Sequence, residues 1–219
     1  MIQVATKLQP EQIRDLVGPA PVIVEIGAHE GEDSRLFLEA MPRARLFCFE
    51  PERRVGAALA KNLKAYGERV TICCEAVGAT DGYVPFYAST GAAGGRVDWT
   101  LSGSIRRPTG HLIRSPEIRF KSPEMVPCIR LDTWLGRHPE IDNIELIWAD
   151  VQGAQRDLIE GGRETLGRSQ YLYIECHQQP LYDGEPTQEE LLEMLKDLLG
   201  FQPLACHEGY NFLLVRDPL

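Results

Sequence analysis

The stretch VIVEIGAHEG, residues 22–31, is an apolar, β-branched run that ends in an acid and then breaks into two glycines four apart. Its length suits a strand buried on both faces, and DSRLFLEAM (33–41), which follows, has the period of a helix. The same alternation recurs along the chain. ARLFCFE (44–50) precedes RRVGAALAKNLKAYG (53–67), VTICCEAV (70–77) is a further apolar run, IELIWADV (144–151) precedes AQRDLIEGGRETL (154–166), and YLYIECH (171–177) precedes EELLEMLKDLLG (189–200). Repeated strand-helix units with near-continuous apolar strands predict a mostly parallel sheet with helices on both faces, a three-layer α/β sandwich. The last two apolar runs, FQPLAC (201–206) and YNFLLV (210–215), are separated only by HEG, too short for a helical crossover. They are expected to form an antiparallel hairpin at the sheet edge, an ending that departs from an all-parallel dinucleotide fold.

Composition sets limits on partners and place. With 219 residues, 43% of them apolar and 25% charged, the chain reads as a single domain over 1–219. A net charge of −9 argues against nucleic acid and anionic membranes as partners, since phosphate rewards clustered Lys and Arg. The expected partner is a small molecule, and homo-oligomerisation is left open. No apolar run approaches the roughly 20 residues that span a bilayer, and the N-terminus lacks a secretory pattern, so a cytoplasmic location is expected. The six cysteines never form CxxC and mostly sit in apolar runs, as small buried hydrophobes do.

One segment breaks the rhythm. From Ala88 to Glu124 the chain is rich in Gly, Ser, Pro and Arg without helical period, and a loop that long inside a compact domain is usually functional or disordered. Six basic residues face three acids there, a net +3 on a chain whose total is −9. We read it as an irregular, lid-like insertion facing the substrate, with Arg106 and Arg107 as contacts to a negatively charged or anionically tethered acceptor.

At the carboxyl end of the first long strand, Gly27 and Gly31 let the backbone turn tightly and approach a ligand. The next strand ends in Glu50, 23 residues after Gly27, where a carboxylate can accept from both ribose hydroxyls of an adenosine cofactor. The spacing is G-x-x-x-G rather than G-x-G-x-x-G, and Glu25 puts an anion where a pyrophosphate would lie. A carboxylate there suits a ligand bearing an ammonium and a sulfonium group, which is S-adenosylmethionine. An NAD-dependent oxidoreductase and a non-catalytic nucleotide-binding module remain the alternatives at this point.

Several motifs in order resemble the FkbM-type S-adenosylmethionine-dependent methyltransferases over roughly residues 20–217. They are VEIGAHEG (24–31), FEPE (49–52), EAVGATDG (75–82), LSGS (101–104), RLDTWL (130–135), ADVQGAQRDLIEGG (149–162) and YIECH (173–177). The resemblance implies a Rossmann-like class I methyltransferase fold and O-methylation of a hydroxyl on a sugar, polyketide or related metabolite. It places Glu25, Gly27, Ala28, Gly31, Ser34, Glu50, Pro51, Glu75, Ala76 and Asp150 about the cofactor, the adenine lying by Glu75 and Ala76. His29, Ser104 and Gln152 join the two arginines as substrate contacts. Where the family usually has acids this chain has Gln152 and Gln155, leaving Asp150 as the one carboxylate at that strand end, so a divalent metal is not expected. Asp150 and His177, both at strand ends where ligands of open α/β sheets bind, are the candidate bases.

Overall fold

The computed structural model describes residues 4–5, 8–92 and 98–216. Its first half alternates as the periodicity predicts: β1 (Val4–Ala5), α1 (Pro10–Val17), β2 (Val22–Ile26), α2 (Glu32–Ala40), β3 (Arg45–Phe49), α3 (Arg53–Leu63) and β4 (Val70–Cys73). A middle portion of short elements follows: β5 (Ala76–Val77), β6 (Gly82–Phe86), β7 (Ser89–Gly91), α4 (His111–Arg114), β8 (Ile118–Phe120) and β9 (Glu124–Ile129). The second half returns to the main layers with α5 (Leu131–Gly136), β10 (Ile144–Ala149), α6 (Gln155–Gly161), α7 (Arg163–Gly167), β11 (Ser169–Glu175), α8 (Gln188–Leu199), β12 (Phe201–His207) and β13 (Asn211–Arg216).

Eight strands form the main sheet in the order β1-β12-β13-β11-β10-β2-β3-β4. Only β13 runs against the others, pairing antiparallel with both β11 and β12. The C-terminal hairpin is therefore present at that end of the sheet, with the two-residue β1 pairing parallel beyond it. Two buried clusters sandwich the sheet. Ile13, Phe37, Leu38, Leu59 and Leu63 of α1–α3 pack on one face with Ile23 and Leu46, while Trp134, Leu158, Leu191 and Leu195 of α5–α8 pack on the other with Val24, Phe47 and Ile147. Alternate residues of one strand feed opposite layers, which is why the central strands read as unbroken apolar runs.

Three expectations change in detail. VTICCEAV does not stay one strand: after Cys73 the chain leaves the main sheet, and Ala76–Val77 pairs with Cys128–Ile129 in a separate three-stranded sheet. An apolar run reports burial, not which sheet buries it. AQRDLIEGGRETL breaks into α6 and α7 at Gly162, and RRVGAALAKNLKAYG ends as an α-helix at Leu63 before a 3₁₀ stretch. The segment 88–124 carries β7 paired with β8 and the single turn α4; its residues 93–97, Arg96 among them, lie outside the described residues. Four cysteines are buried, Cys73 is half-buried and Cys74 is exposed.

The two glycines of the opening stretch do different work. Gly27 has φ +85°, and a Cβ there would sit 2.1 Å from the carbonyl oxygen of Asp150. Gly31, at φ +84°, would drive a Cβ to 2.8 Å from Leu59 Cδ1, so it lets α2 seat against α3. Gly27→Ala meets backbone on one side and a disfavoured φ on the other, a conformational cost of roughly 1–3 kcal/mol before any clash. Thermal unfolding of that variant is expected to fall by roughly 2–4 °C per kcal/mol; an unchanged midpoint would contradict the close approach of β2 and β10.

Candidate functional site

The chain order turns outward in both directions from the β2/β10 pair, to β3 and β4 on one side and to β11 on the other. Such a switch point leaves a crevice at the carboxyl ends of the strands, where the loops diverge. Two cavities occupy it. The inner one is lined by Phe49, Glu50, Pro51, Glu75, Ala76, Val77, Phe86, Ile105 and Ser104; the outer one, of about 540 Å³, by Glu25, Ala28, Glu32, Asp33, Trp99, His111, Trp148, Tyr173, Glu175, His177, Glu208 and Tyr210. They share Gly27, His29, Leu101, Asp150 and Gln152, so they meet at the end of β10.

In the inner cavity the carboxylate of Glu50 is buried and oriented by two backbone donors, His29 N at 3.0 Å and Glu52 N at 2.8 Å. Burial outweighs these bonds and pushes its pKa up to about 7. The donor set is therefore incomplete for a carboxylate, and a ligand offering hydroxyl donors would complete it. Glu25, also buried, accepts from Ser34 Oγ at 2.5 Å and points its strand-end acid into the outer cavity.

The loop 99–105 roofs the crevice. His29 Nε2 lies 2.7 Å from Thr100 Oγ1, Ser104 Oγ donates to the Gln152 carbonyl at 2.6 Å, and Tyr182 Oη lies 3.0 Å from the Ser102 carbonyl oxygen. His29 and Gln152 both have positive φ, 50° and 45°, and both sit in strand-end turns lining the two cavities. Left-handed conformations in non-glycine residues cost free energy and cluster where a site dictates the backbone.

Asp150, shared by the two cavities, forms a carboxyl pair with Glu175 of the outer one. Asp150 and Glu175 end the adjacent strands β10 and β11, and Gln152 Nε2 donates to both, at 2.5 Å and 3.2 Å. Burial, and then the neighbouring Glu175 carboxylate to which it is hydrogen-bonded, raises the Asp150 pKa well above the ordinary range. Burial works against ionisation of Glu175 too, but its hydrogen bonds from His177 and Asp150 outweigh that and hold its pKa below the usual value. Two carboxyls this close oppose each other's ionisation and titrate as a pair.

His177 does not behave as the free base expected of it. Its Nε2 meets Glu175 Oε1 at 2.9 Å and its Nδ1 meets Glu185 Oε1 at 2.9 Å. Burial depresses its proton affinity, yet the two carboxylates overcome this and lift the pKa to about 10. With both nitrogens engaged by carboxylates, the ring has no free lone pair facing the cavity, which departs from the free base expected of it.

Three other sequence candidates move away from the crevice. Ser34 is fully buried behind Glu25, Gly31 packs on α3, and Arg106 forms a two-pronged pair with Asp157 of α6, at 2.6 Å through both Nε and Nη2. Arg107 is exposed, and neither arginine lines either of these two cavities. The outer cavity is instead acidic, with no Lys or Arg among its described lining residues. Sequence reasoning missed Glu175, Tyr182 and Glu185. Glu175 was visible as a strand-end acid in YIECH; the other two are brought in by a loop whose path no periodicity announces. Among the described residues, no group of three or more His, Cys, Asp and Glu side chains is placed to hold a metal ion.

Residues 25–211 match the family described as the methyltransferase FkbM domain. The chain belongs to the FkbM methyltransferase family. It is 39% identical over 189 residues to the 2-O-methyltransferase NoeI of Sinorhizobium fredii, covering 86% of this chain and 76% of that protein. Among solved structures, the Methanococcus jannaschii fibrillarin pre-rRNA processing protein superposes with a TM-score of 0.52 at 10% identity, over 98% of this chain and 72% of that one. Aeropyrum pernix fibrillarin with natively bound S-adenosyl-L-methionine gives 0.51 at 11% identity, over 91% and 67%. These structural matches carry the class I methyltransferase fold. The methyl donor of this FkbM methyltransferase is S-adenosyl-L-methionine.

A ribose diol donating to Glu50 needs the ionised carboxylate. Affinity for S-adenosylhomocysteine is thus expected to be full above pH 7 and to weaken as pH falls through the Glu50 pKa, approaching tenfold per pH unit. Titration calorimetry from pH 5.5 to 8.5 checks this, and Glu50→Gln is expected to bind weakly and lose that pH dependence.

Proposed function

We propose that the protein methylates a hydroxyl oxygen of a small polyhydroxylated metabolite that carries no negative charge. The observation that carries this reading is the Asp150–Glu175 pair, whose Asp150 is shared by the two cavities. In this reading Glu50 receives the cofactor ribose, Pro51, Glu75 and Ala76 flank the adenine, and Glu25 with Gly27 and Ala28 faces the amino-acid end. When bound, S-adenosylmethionine supplies a methyl group on a sulfonium whose leaving group is a neutral thioether.

The chain's own task is to place the acceptor oxygen in line and take its proton. Positioning of this kind supplies up to about 7–11 kcal/mol of a barrier. The carboxyl pair is the proton acceptor, its Asp150 member having a proton affinity raised by burial. Gln152 orients both carboxyls and is itself held through Oε1 by Tyr182 Oη at 2.7 Å. The stacked Trp148 and Tyr173 rings, 3.8 Å apart, form an apolar floor, and Trp99 and Tyr210 add further aromatic surface to the walls.

The acids of the outer cavity set the acceptor's charge. Glu32, Asp33 and Glu208 join Glu25, Asp150 and Glu175 in its lining, so an anionic acceptor would be repelled. This replaces the expectation of an anionic acceptor held by Arg106 and Arg107. The hydroxyl specificity named for the Sinorhizobium fredii relative accords with an oxygen acceptor here.

Transfer of radiolabelled methyl from S-adenosylmethionine to neutral, amine-bearing and phosphorylated sugars tests the reading. Turnover is expected with an uncharged or amine-bearing sugar; turnover confined to phosphorylated sugars would contradict it. In Asp150→Asn, kcat is expected to fall by about 10²- to 10⁴-fold, with S-adenosylhomocysteine affinity changed much less.

A further inference from the structure

We infer that Glu185 is a positioning residue for methyl transfer: from the loop before α8 it fixes His177 as the cationic partner of Glu175, and so keeps the Asp150–Glu175 pair able to take the acceptor's proton. The inference rests on the O-methyltransferase reading and adds a residue that touches neither cavity.

The geometry alone sets the charge of His177. A neutral imidazole offers one donor and one acceptor nitrogen. Here Nε2 faces Glu175 Oε1 and Nδ1 faces Glu185 Oε1, both at 2.9 Å. A carboxylate oxygen cannot donate to a ring nitrogen unless protonated, so the arrangement is satisfied by a ring carrying both protons. Glu185 is the fixed member of this chain. Its side chain has no solvent exposure, and Oε2 accepts from the backbone N–H groups of Leu181 at 2.6 Å and Tyr182 at 3.0 Å. The imidazolium then donates to Glu175, and its positive charge favours the ionised form of the pair, the form that can take the acceptor's proton.

A second route runs from the same carboxylate. By gripping the Tyr182 N–H, Glu185 anchors the residue whose hydroxyl holds Gln152, and Gln152 donates to both members of the pair. The other ionisable groups near His177 do not substitute for Glu185. His111 packs edge-on against Tyr182, its Nδ1 has no partner, and burial holds its own pKa below the usual value. Tyr210 stacks loosely on the His177 ring at 6.2 Å, and Glu208 lies by Tyr210 and Asn211. Neither meets Nδ1.

Glu185→Gln tests this while keeping an oxygen for the two backbone donors. Loss of the anion makes His177 easier to deprotonate; with that cation weakened, the carboxyl pair holds its proton to higher pH. The kcat–pH profile is expected to move toward alkaline pH by about one unit, lowering kcat several-fold at pH 7, with KM for S-adenosylmethionine within twofold of wild type. A fall in kcat without movement of the profile would overturn the inference and leave Glu185 a loop anchor. Nitrogen-15 NMR of the His177 ring in the wild-type protein with S-adenosylhomocysteine reads the same claim without turnover or a variant. Both ring nitrogens are expected to be protonated at pH 7.5; a neutral tautomer would overturn the inference even if methyl transfer is established. An inactive protein with a doubly protonated ring would instead count against the methyltransferase reading alone.

Discussion

The close approach of β2 and β10 is the constraint on which the site depends. The Asp150 N–H donates to the Ile26 carbonyl at 2.9 Å, and Gly27 turns away at a φ that leaves no room for a side chain beside the Asp150 carbonyl. That contact sets two loops diverging from one point. One carries His29 toward Glu50 and the roof; the other carries Gln152 toward Glu175 and Tyr182. A one-residue slip of β2 against its neighbours would turn Glu25 from the site's face into the opposite layer.

Charge is distributed with the same economy. In the inner cavity the buried Glu50 carboxylate stands beside Phe49, Val77, Phe86 and Ile105, suited to hydroxyl donors. The outer cavity collects acids around the Asp150–Glu175 pair, and His177 lies against Glu175 there. The described basic residues of the segment 88–124 line neither of these two cavities. Arg106 is spent on Asp157, where its planar fork ties the roof loop to α6. Arg54 pairs with Glu52 and Asp98, linking α3 to the same segment. The inserted segment is thus fastened at its base by ion pairs and at its crest by the hydroxyls of Thr100 and Ser104.

Much of this was legible in the residues. Strand-helix alternation and the three-residue gap at 207–209 are direct consequences of burial and chain length, and they place the layers and the reversed last strand correctly. The position of Glu50 in the crevice was legible because an acid at the end of a parallel strand lies where the loops of such a sheet diverge. What the sequence concealed depended on tertiary partners. Whether a histidine is a base or a cation is decided by the groups its nitrogens meet, and Glu185 lies eight residues beyond His177 in a loop without period. Whether an arginine reads substrate or braces a helix is decided by Asp157, 51 residues away. Net charge of a segment says nothing about which way its side chains point.

The central claim is that one crevice holds the cofactor with its reactive end facing the Asp150–Glu175 pair. A crystal structure of the protein with S-adenosylhomocysteine tests it most directly. The account predicts ribose hydroxyls within hydrogen-bonding distance of Glu50, the adenine beside Ala76, and the sulfur opening onto Asp150 and Glu175. A cofactor whose ribose avoids Glu50, or whose sulfur faces away from the carboxyl pair, would contradict it.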